Sequence, residues 1–128
     1  MHLLLDSHTL IWFFKGDTRL SDRVRILIED ENNQKLISIA SVWELSIKQS
    51  IGKLTFTQSI KTFIEQQLRM NDFNLLNITL DHIDGMTTLP LHHRDPFDRL
   101  LIAQAMVENI PIASADSAFD AYSIQCIW

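Results

Sequence analysis

Four acidic residues of the 128-residue chain are of the type and in the surroundings that suit metal-dependent phosphate chemistry: Asp6, Glu44, Asp98 and Asp116. Carboxylates held close together repel one another and would not all ionise at neutral pH. Hard divalent cations that take oxygen ligands, Mg²⁺ or Mn²⁺, remove that penalty. Two such ions about 4 Å apart can activate water on one side of a phosphodiester and stabilise the leaving oxygen on the other. The acids therefore predict phosphodiester hydrolysis if the fold brings them together.

The elements that must position these acids are short apolar runs that alternate with amphipathic segments. Such alternation is typical of βαβ units, and hence of an α/β fold with a mainly parallel sheet of four to five strands and helices on both faces. Strands are predicted near residues 2–5, 36–39, 73–78, 111–113 and 123–128. Helices are predicted at 7–15, from 21, at 41–51, at 59–69, from 79 to about 85, and at 95–109.

In a parallel sheet the ligand lies beyond the carboxyl ends of the strands. Asp6 closes the first predicted strand, Asp116 follows the fourth, and Glu44 lies just inside the helix after the second. Asp98 occupies the first turn of the helix that an Asp-Pro pair opens. We therefore expect all four carboxylates at one rim of the sheet.

Each acid also has a structural interpretation that needs no metal. Asp6 could cap the following helix. Ser41 and Glu44 have the spacing of a capping box, in which the Glu44 carboxylate would accept from the Ser41 backbone N–H. Asp98 would complement a helix dipole, and Asp116 could begin a turn. No single acid is specific, and the prediction of a site depends on their joint placement.

The neighbouring basic side chains carry weaker signals. His92 and His93 are adjacent, so on a regular element they would face different ways, and the pair is predicted to be solvated surface rather than a zinc site. Asp95 is predicted to be a helix N-cap. Arg94 and Arg99 flank the acids and could contact phosphates, or equally be solvated or pair with Asp95.

Composition narrows the classes of protein. Hydrophobic residues make up 46% and charged residues 21%, an ordinary globular balance. The apolar runs are far shorter than the roughly 18 residues of a membrane span, and no signal peptide is expected. The single cysteine, Cys126, cannot form an internal disulfide and agrees with a cytoplasmic setting. The tryptophans lie among apolar neighbours and are predicted to be core residues: Trp12, Trp43 and Trp128.

The net charge of −5 bears on the partner. Proteins that bind nucleic acid non-specifically are usually basic, because Lys and Arg displace counterions from phosphates. The charge alone therefore argues against a nucleic-acid partner. It argues otherwise if the acids hold cations, since each ion adds positive charge where phosphate must sit.

The motifs around the acids resemble those of the PIN-domain family, and within it the VapC-like toxins of bacterial toxin–antitoxin pairs. The resemblance covers nearly the whole chain. It is carried by four segments: Leu3–His8, Ser41–Lys48 with Gly52–Leu54, His93–Ala105, and Ser114–Asp116 with Phe119 and Tyr122. The most specific of these is His93–Ala105. Ser114 stands where the family often has Thr, a change that keeps the hydroxyl.

The resemblance implies one PIN-like domain over residues 1–128, with a three-layer α/β/α sandwich. It implies a Mg²⁺- or Mn²⁺-dependent endoribonuclease, with RNA as the substrate. Asp6 and Asp98 would be the main metal ligands, completed by Glu44 and Asp116. Toxins of this family commonly form homodimers and are inhibited by a small antitoxin protein that wraps around them. The apolar residues near Trp12 could supply the groove for an antitoxin, although core packing explains most of them.

Other classes of protein share part of this pattern. A phosphoacceptor receiver domain also has acids at strand ends, but it would need an acid pair near the first strand and a Lys after a late strand. Asp6 stands alone, and residues 111–118 contain no Lys. A catalytically silent PIN-like module that binds RNA or protein would have no reason to keep four repelling carboxylates. A DNA nuclease that uses the same acids remains open.

Overall fold

A computed structural model describes all residues from Met1 to Trp128. Five strands alternate with six helices as predicted, and β3, β4 and β5 are shorter than the sequence pattern indicates. The elements are β1 (His2–Leu5), α1 (Ser7–Lys15), α2 (Asp22–Glu29), β2 (Gln34–Ser38), α3 (Ile39–Ser50), α4 (Ile60–Met70), β3 (Phe73–Leu76), α5 (Leu80–Thr87), α6 (Pro96–Glu108), β4 (Ile112–Ala113) and β5 (Cys126–Ile127), with a 3₁₀ helix at Ser117–Ala121. None of the helices combines the length and apolar character needed to cross a membrane.

The strands form one sheet in the order β3-β2-β1-β4-β5, and every neighbouring pair is parallel. The predicted parallel sheet is therefore confirmed. Leu4 of the central strand pairs with Leu36 on one side and with Ile112 on the other. Because β1 and β4 are neighbours, the residues that follow Leu5 and Ala113 leave the sheet side by side at its carboxyl edge.

Alternate residues of β1 supply the two sides of the core, as the two-residue period of a strand requires. Leu3 and Leu5 pack in one cluster with Leu10 of α1 and Val24 of α2. Leu4 points to the other face, into a cluster that includes residues of α6 and the 3₁₀ helix. The sheet thus has helices on both faces, which confirms the three-layer α/β/α architecture and anchors the first strand within it.

Helix α3 begins earlier than predicted. Its N-cap is Ser38, the last residue of β2, whose extended backbone leaves the hydroxyl free to accept from the N–H of Ala40 at 3.0 Å. The predicted capping box of Ser41 and Glu44 is therefore wrong. Ser41 lies inside the first turn, is fully buried, and has a hydroxyl with no hydrogen-bond partner. Glu44 is left free for other contacts.

A buried chain of polar side chains connects α3, α5 and α6. The Ser38 hydroxyl donates to Oε1 of Gln104 at 2.5 Å, and Nε2 of Gln104 lies 3.4 Å from both the Asn77 carbonyl oxygen and Nδ1 of His82. Nε2 of His82 in turn lies 2.9 Å from Oε1 of Glu108. Ser38, His82 and Gln104 are fully buried. The chain therefore ties together the two helices that carry Glu44 and Asp98.

The tryptophans do not all behave as the sequence indicates. Trp12 and Trp128 contact each other, with ring centroids 5.6 Å apart, and pack against the core as predicted. Trp43 is 57% exposed, so its assignment to the core is wrong. Its ring meets that of Phe97 edge to face at 5.0 Å. Several neighbours of Trp43 along the chain are apolar, but its side chain lies on the outer side of α3.

Candidate active site

Asp6 is held rigidly between β1 and β4. It is the N-cap of α1, and its Oδ1 accepts from the N–H of Thr9 at 2.8 Å. Its Oδ2 accepts from the Ser114 hydroxyl at 2.6 Å. The residue is only 4% exposed. Both oxygens are oriented by protein donors, and each retains a lone pair for a further partner.

Ser114 joins two of the predicted acids. While its hydroxyl donates to Asp6, the same oxygen accepts from the backbone N–H of Asp116 at 3.0 Å. Asp116 also accepts, through Oδ1, from the N–H of Ala118 at 2.9 Å. The two carboxylates face a shallow cavity of about 250 Å³ that is lined by Asp6, His8, Trp12, Ala115 and Asp116. The hydroxyl at position 114 is therefore what sets Asp6 and Asp116 relative to each other.

Glu44 reaches the same edge of the sheet from the second turn of α3. Its Oε1 accepts from the Ser7 hydroxyl at 2.6 Å, and its Oε2 lies 3.4 Å from Nζ of Lys48, one turn further along the helix. The side chain is 14% exposed. Because Ser7 directly follows Asp6, this hydrogen bond places Glu44 next to the end of β1.

Asp98 and Asp116 are brought together by a residue that sequence reasoning missed. Nε2 of His93 lies 3.1 Å from Oδ2 of Asp98 and 3.0 Å from Oδ2 of Asp116. The His93 side chain is only 14% exposed, so the prediction of a solvated histidine pair is wrong for His93. One signal was available: His93 precedes the helix-capping Asp95 by two residues, which puts it in the loop that leads to the rim.

That loop is fixed by the side chains of Tyr122 and Arg99 rather than by regular secondary structure of its own. The Tyr122 hydroxyl accepts from the N–H groups of His92 and His93, at 3.1 and 2.9 Å, and donates to the Pro90 carbonyl at 2.8 Å. The guanidinium of Arg99 donates to four backbone carbonyls: those of Met86, Leu89, Pro90 and His93. Arg99 is thus used within the protein, and neither the phosphate contact nor the pairing with Asp95 describes it.

The electrostatics of the site centre on Asp98. Burial, followed by the charge of Asp95, raises the pKa of Asp98 from 3.8 to about 7, with Glu44 and Asp6 adding to the effect and His93 opposing it. Asp98 therefore lies within electrostatic range of Glu44 and Asp6. Partial burial acts to raise the pKa of Asp116 as well, but the N–H of Ala118 and the imidazole of His93 outweigh it, so that this pKa is lowered.

The raised pKa of Asp98 should make the metal-free protein less stable as the pH rises. In the unfolded chain this carboxyl ionises near 3.8, whereas the folded chain keeps its proton up to about 7. Its favourable contribution is therefore complete at low pH and is lost as the pH rises through about 7. We expect Asp98→Asn to exceed the wild type in free energy of unfolding by about 1–2 kcal/mol at about pH 8, after allowance for solvent screening, and by nothing at about pH 4.

Urea unfolding of the two metal-free proteins at both pH values measures this difference. A gap between variant and wild type that is the same at both pH values would contradict the assignment. Added Mg²⁺ should close the gap at the higher pH, because a ligand that binds only the folded state stabilises it.

The chemistry of the donor set fits a hard divalent cation. Carboxylate oxygens predominate, and a ligand atom from each of His93, Asp98 and Asp116 lies within 4.8 Å of the others. Asp6 and Glu44 do not belong to this tight group. The Ser114 hydroxyl links Asp6 to the backbone of Asp116, whereas the Ser7 hydroxyl binds Glu44 beside the end of β1. The one cysteine, Cys126, offers no soft ligand here, since burial raises the pKa of its thiol to about 11. Mg²⁺ and Mn²⁺ prefer such oxygen-rich surroundings.

Comparison with known proteins agrees with this description of the fold. VapBC2 from Rickettsia felis, bound to a DNA fragment from its promoter, contains a chain that is 14% identical, with a TM-score of 0.74, over 99% of this chain and 98% of that chain. VapBC-1 from nontypeable Haemophilus influenzae contains a chain that is 19% identical, with a TM-score of 0.69, over 99% of this chain and 97% of that chain. A toxin–antitoxin complex from Klebsiella pneumoniae contains a chain that is 16% identical, with a TM-score of 0.67, over 98% of this chain and 96% of that chain. No curated protein matches the sequence.

The match to a family is more specific than these likenesses, which concern the fold alone. The family model described as the PIN domain matches residues 3–125. That range includes all four strand-edge acids and the loop that carries His93. The chain therefore belongs to the PIN domain family.

Proposed function

We propose that this protein is a metal-dependent endoribonuclease and the toxin of a toxin–antitoxin pair. Asp6, Glu44, Asp98 and Asp116 would hold Mg²⁺ or Mn²⁺ at the carboxyl edge of the sheet and serve as its catalytic acids. The observation that carries the proposal is the position of these acids at one edge of the sheet. The Ser114 hydroxyl donates to Asp6 and the Ser7 hydroxyl donates to Glu44. Nε2 of His93 lies within 3.1 Å of both Asp98 and Asp116. Such a cluster is costly without a cation and well matched to one.

The residues divide the work of binding and orientation. Asp6 is fixed by Thr9 and Ser114, so its carboxylate needs no reorganisation when a cation binds. Glu44 is held from two sides, by Ser7 and Lys48. A bound divalent ion supplies a Lewis acid for the scissile phosphate and a lowered pKa for the attacking water. Holding such an ion, these residues would also offset the net charge of −5 where an RNA backbone would approach.

An antitoxin partner is part of the proposal. It is supported by the likeness of the whole chain to members of toxin–antitoxin complexes, with coverage of 96% or more on both sides. A small antitoxin protein would inhibit the nuclease, which would act in the cytoplasm, as a homodimer, on cellular RNA. Cleavage assays therefore need protein from which any co-purified antitoxin has been removed.

The proposal is tested by incubating purified protein with total cellular RNA in Mg²⁺ or Mn²⁺, with and without EDTA. We expect discrete fragments that disappear with EDTA and with Asp98→Asn, because both changes remove cation binding at the rim. A DNA substrate of matched sequence is the parallel arm, and cleavage of DNA alone would move the assignment to a DNA nuclease. A folded, antitoxin-free protein that cleaves neither substrate with either metal would point instead to a silent binding module.

A further inference from the structure

We propose that His93 is a positioning residue of the acidic site, whose Nε2–H group holds the carboxylates of Asp98 and Asp116 in the arrangement that binds the cation. The inference rests on the proposed function, since it assigns a role at the same site.

The backbone around His93 decides which ring nitrogen carries the proton. The N–H of Asp95 points at Nδ1 of His93, with a distance of 3.2 Å between the two nitrogens. A backbone N–H can only donate, so Nδ1 must be the accepting, unprotonated nitrogen. In a neutral imidazole the proton then resides on Nε2. This is the nitrogen that lies 3.1 Å from Asp98 Oδ2 and 3.0 Å from Asp116 Oδ2.

The tautomer makes His93 a donor rather than a metal ligand. To coordinate a cation through Nε2, the ring would have to move its proton to Nδ1 and set an N–H against the N–H of Asp95. That change would lose one hydrogen bond and leave a part-buried donor without an acceptor, which disfavours it. As a donor, His93 instead hydrogen-bonds to Oδ2 of Asp116 and keeps Nε2 within 3.1 Å of Oδ2 of Asp98. Asp98 and Asp116 come from different elements and have no other shared partner.

The ring itself is well placed for this role. The backbone N–H of His93 donates to the Tyr122 hydroxyl, and the backbone carbonyl of His93 accepts from Arg99. The imidazole also packs edge to face on Phe119, with centroids 5.7 Å apart. Side chains that orient ligands in this way typically change metal affinity or activity by about 10–100-fold when they are removed.

The test compares His93→Ala with His93→Gln, whose side-chain amide nitrogen can take the place of Nε2–H. His92→Ala is the matched control, because His92 lies in the same loop and contacts Tyr122 but neither carboxylate. Mn²⁺ binding to each metal-free protein and RNA cleavage are both measured. We expect His93→Ala to bind Mn²⁺ about 10–100-fold more weakly, His93→Gln to recover most of that loss, and His92→Ala to match the wild type.

Two outcomes would overturn the inference while the proposed function stands. If wild type and His93→Ala bind Mn²⁺ and cleave RNA equally, His93 positions nothing. If His93→Ala binds Mn²⁺ more tightly than the wild type, the imidazole occupies the place of the cation instead of orienting the ligands of the cation. A wild type that neither binds Mn²⁺ nor cleaves RNA would overturn the proposed function, and this inference with it.

The tautomer has its own readout. Nitrogen-15 NMR of the ring should show a protonated Nε2 both without metal and at saturating Mg²⁺, which is diamagnetic. Loss of the Nε2 proton on Mg²⁺ binding would show that His93 coordinates the ion directly and would overturn the positioning role. This measurement does not depend on cleavage.

Discussion

Replacing Asp6 by Asn is expected to reduce RNA cleavage by on the order of 10³-fold, corresponding to several kcal/mol of lost transition-state stabilisation. The variant keeps the Oδ1 atom that caps α1 through Thr9, so the helix start is preserved. What it loses is the negative charge at the end of β1. In the wild type the Ser114 hydroxyl donates to Oδ2 of Asp6. In the variant an amide N–H group would face that hydroxyl if the nitrogen takes the place of Oδ2. Cleavage rates in saturating Mn²⁺ measure the loss of activity, and a thermal unfolding curve shows whether the fold is preserved.

The matched control is Asp95→Asn. Asp95 is also a helix cap, with Oδ1 accepting from the N–H groups of Phe97 and Asp98, and its charge also contributes to the raised pKa of Asp98. This substitution therefore removes a nearby negative charge while an N-cap oxygen is retained. We expect it to leave cleavage largely intact. Wild-type cleavage by a folded Asp6→Asn protein would remove Asp6 from the site.

The second large effect is expected in stability, at Gln104. Gln104→Met keeps the length of the side chain but removes its amide, so the buried Ser38 hydroxyl loses its acceptor and the Asn77 carbonyl loses a donor. Buried polar groups left without partners cost about 1–3 kcal/mol each, and burial of the thioether returns only part of this. We expect the free energy of unfolding to fall by about 3 kcal/mol, as measured by urea denaturation.

Gln125→Met is the control, because Gln125 is exposed and its side chain makes no hydrogen bond within the protein. Exposed substitutions of this kind change stability by about 0.5 kcal/mol or less. A loss below about 1 kcal/mol for Gln104→Met would mean that the polar chain between α3 and α6 contributes little to stability. The same variant should also weaken cleavage, since this chain connects the helices that carry Glu44 and Asp98.

The fold was predictable because its signals are local. Leu3, Leu4 and Leu5 form an unbroken apolar run, which is typical of a strand buried on both faces, and they are fully buried. The parallel order of the strands followed from helices of ordinary length between them. Strand ends were less predictable, because residues at the ends of the predicted β3 and β5 pair only where a neighbouring strand is present.

The parts of the site that escaped prediction depend on contacts between distant segments. Ser38 took the capping role expected of Ser41, because the end of β2 already had the extended backbone that a cap needs. His93 resembled its solvated neighbour His92 until Asp98 and Asp116 were brought to either side of it. Trp43 resembled a core residue because its neighbours along the chain are apolar, although it faces outwards.

The central position of β1 also determines when the site can exist during synthesis. Asp6 is among the first residues made, but its hydroxyl partner Ser114 lies 108 positions later in the chain. Contacts so distant in sequence form late, after the chain between them has folded. On a translating ribosome, the acidic cluster is therefore incomplete until residue 116 has emerged and β4 has paired with β1. If the protein is the proposed ribonuclease, the nascent chain cannot attack the messenger or the ribosome that is still producing it.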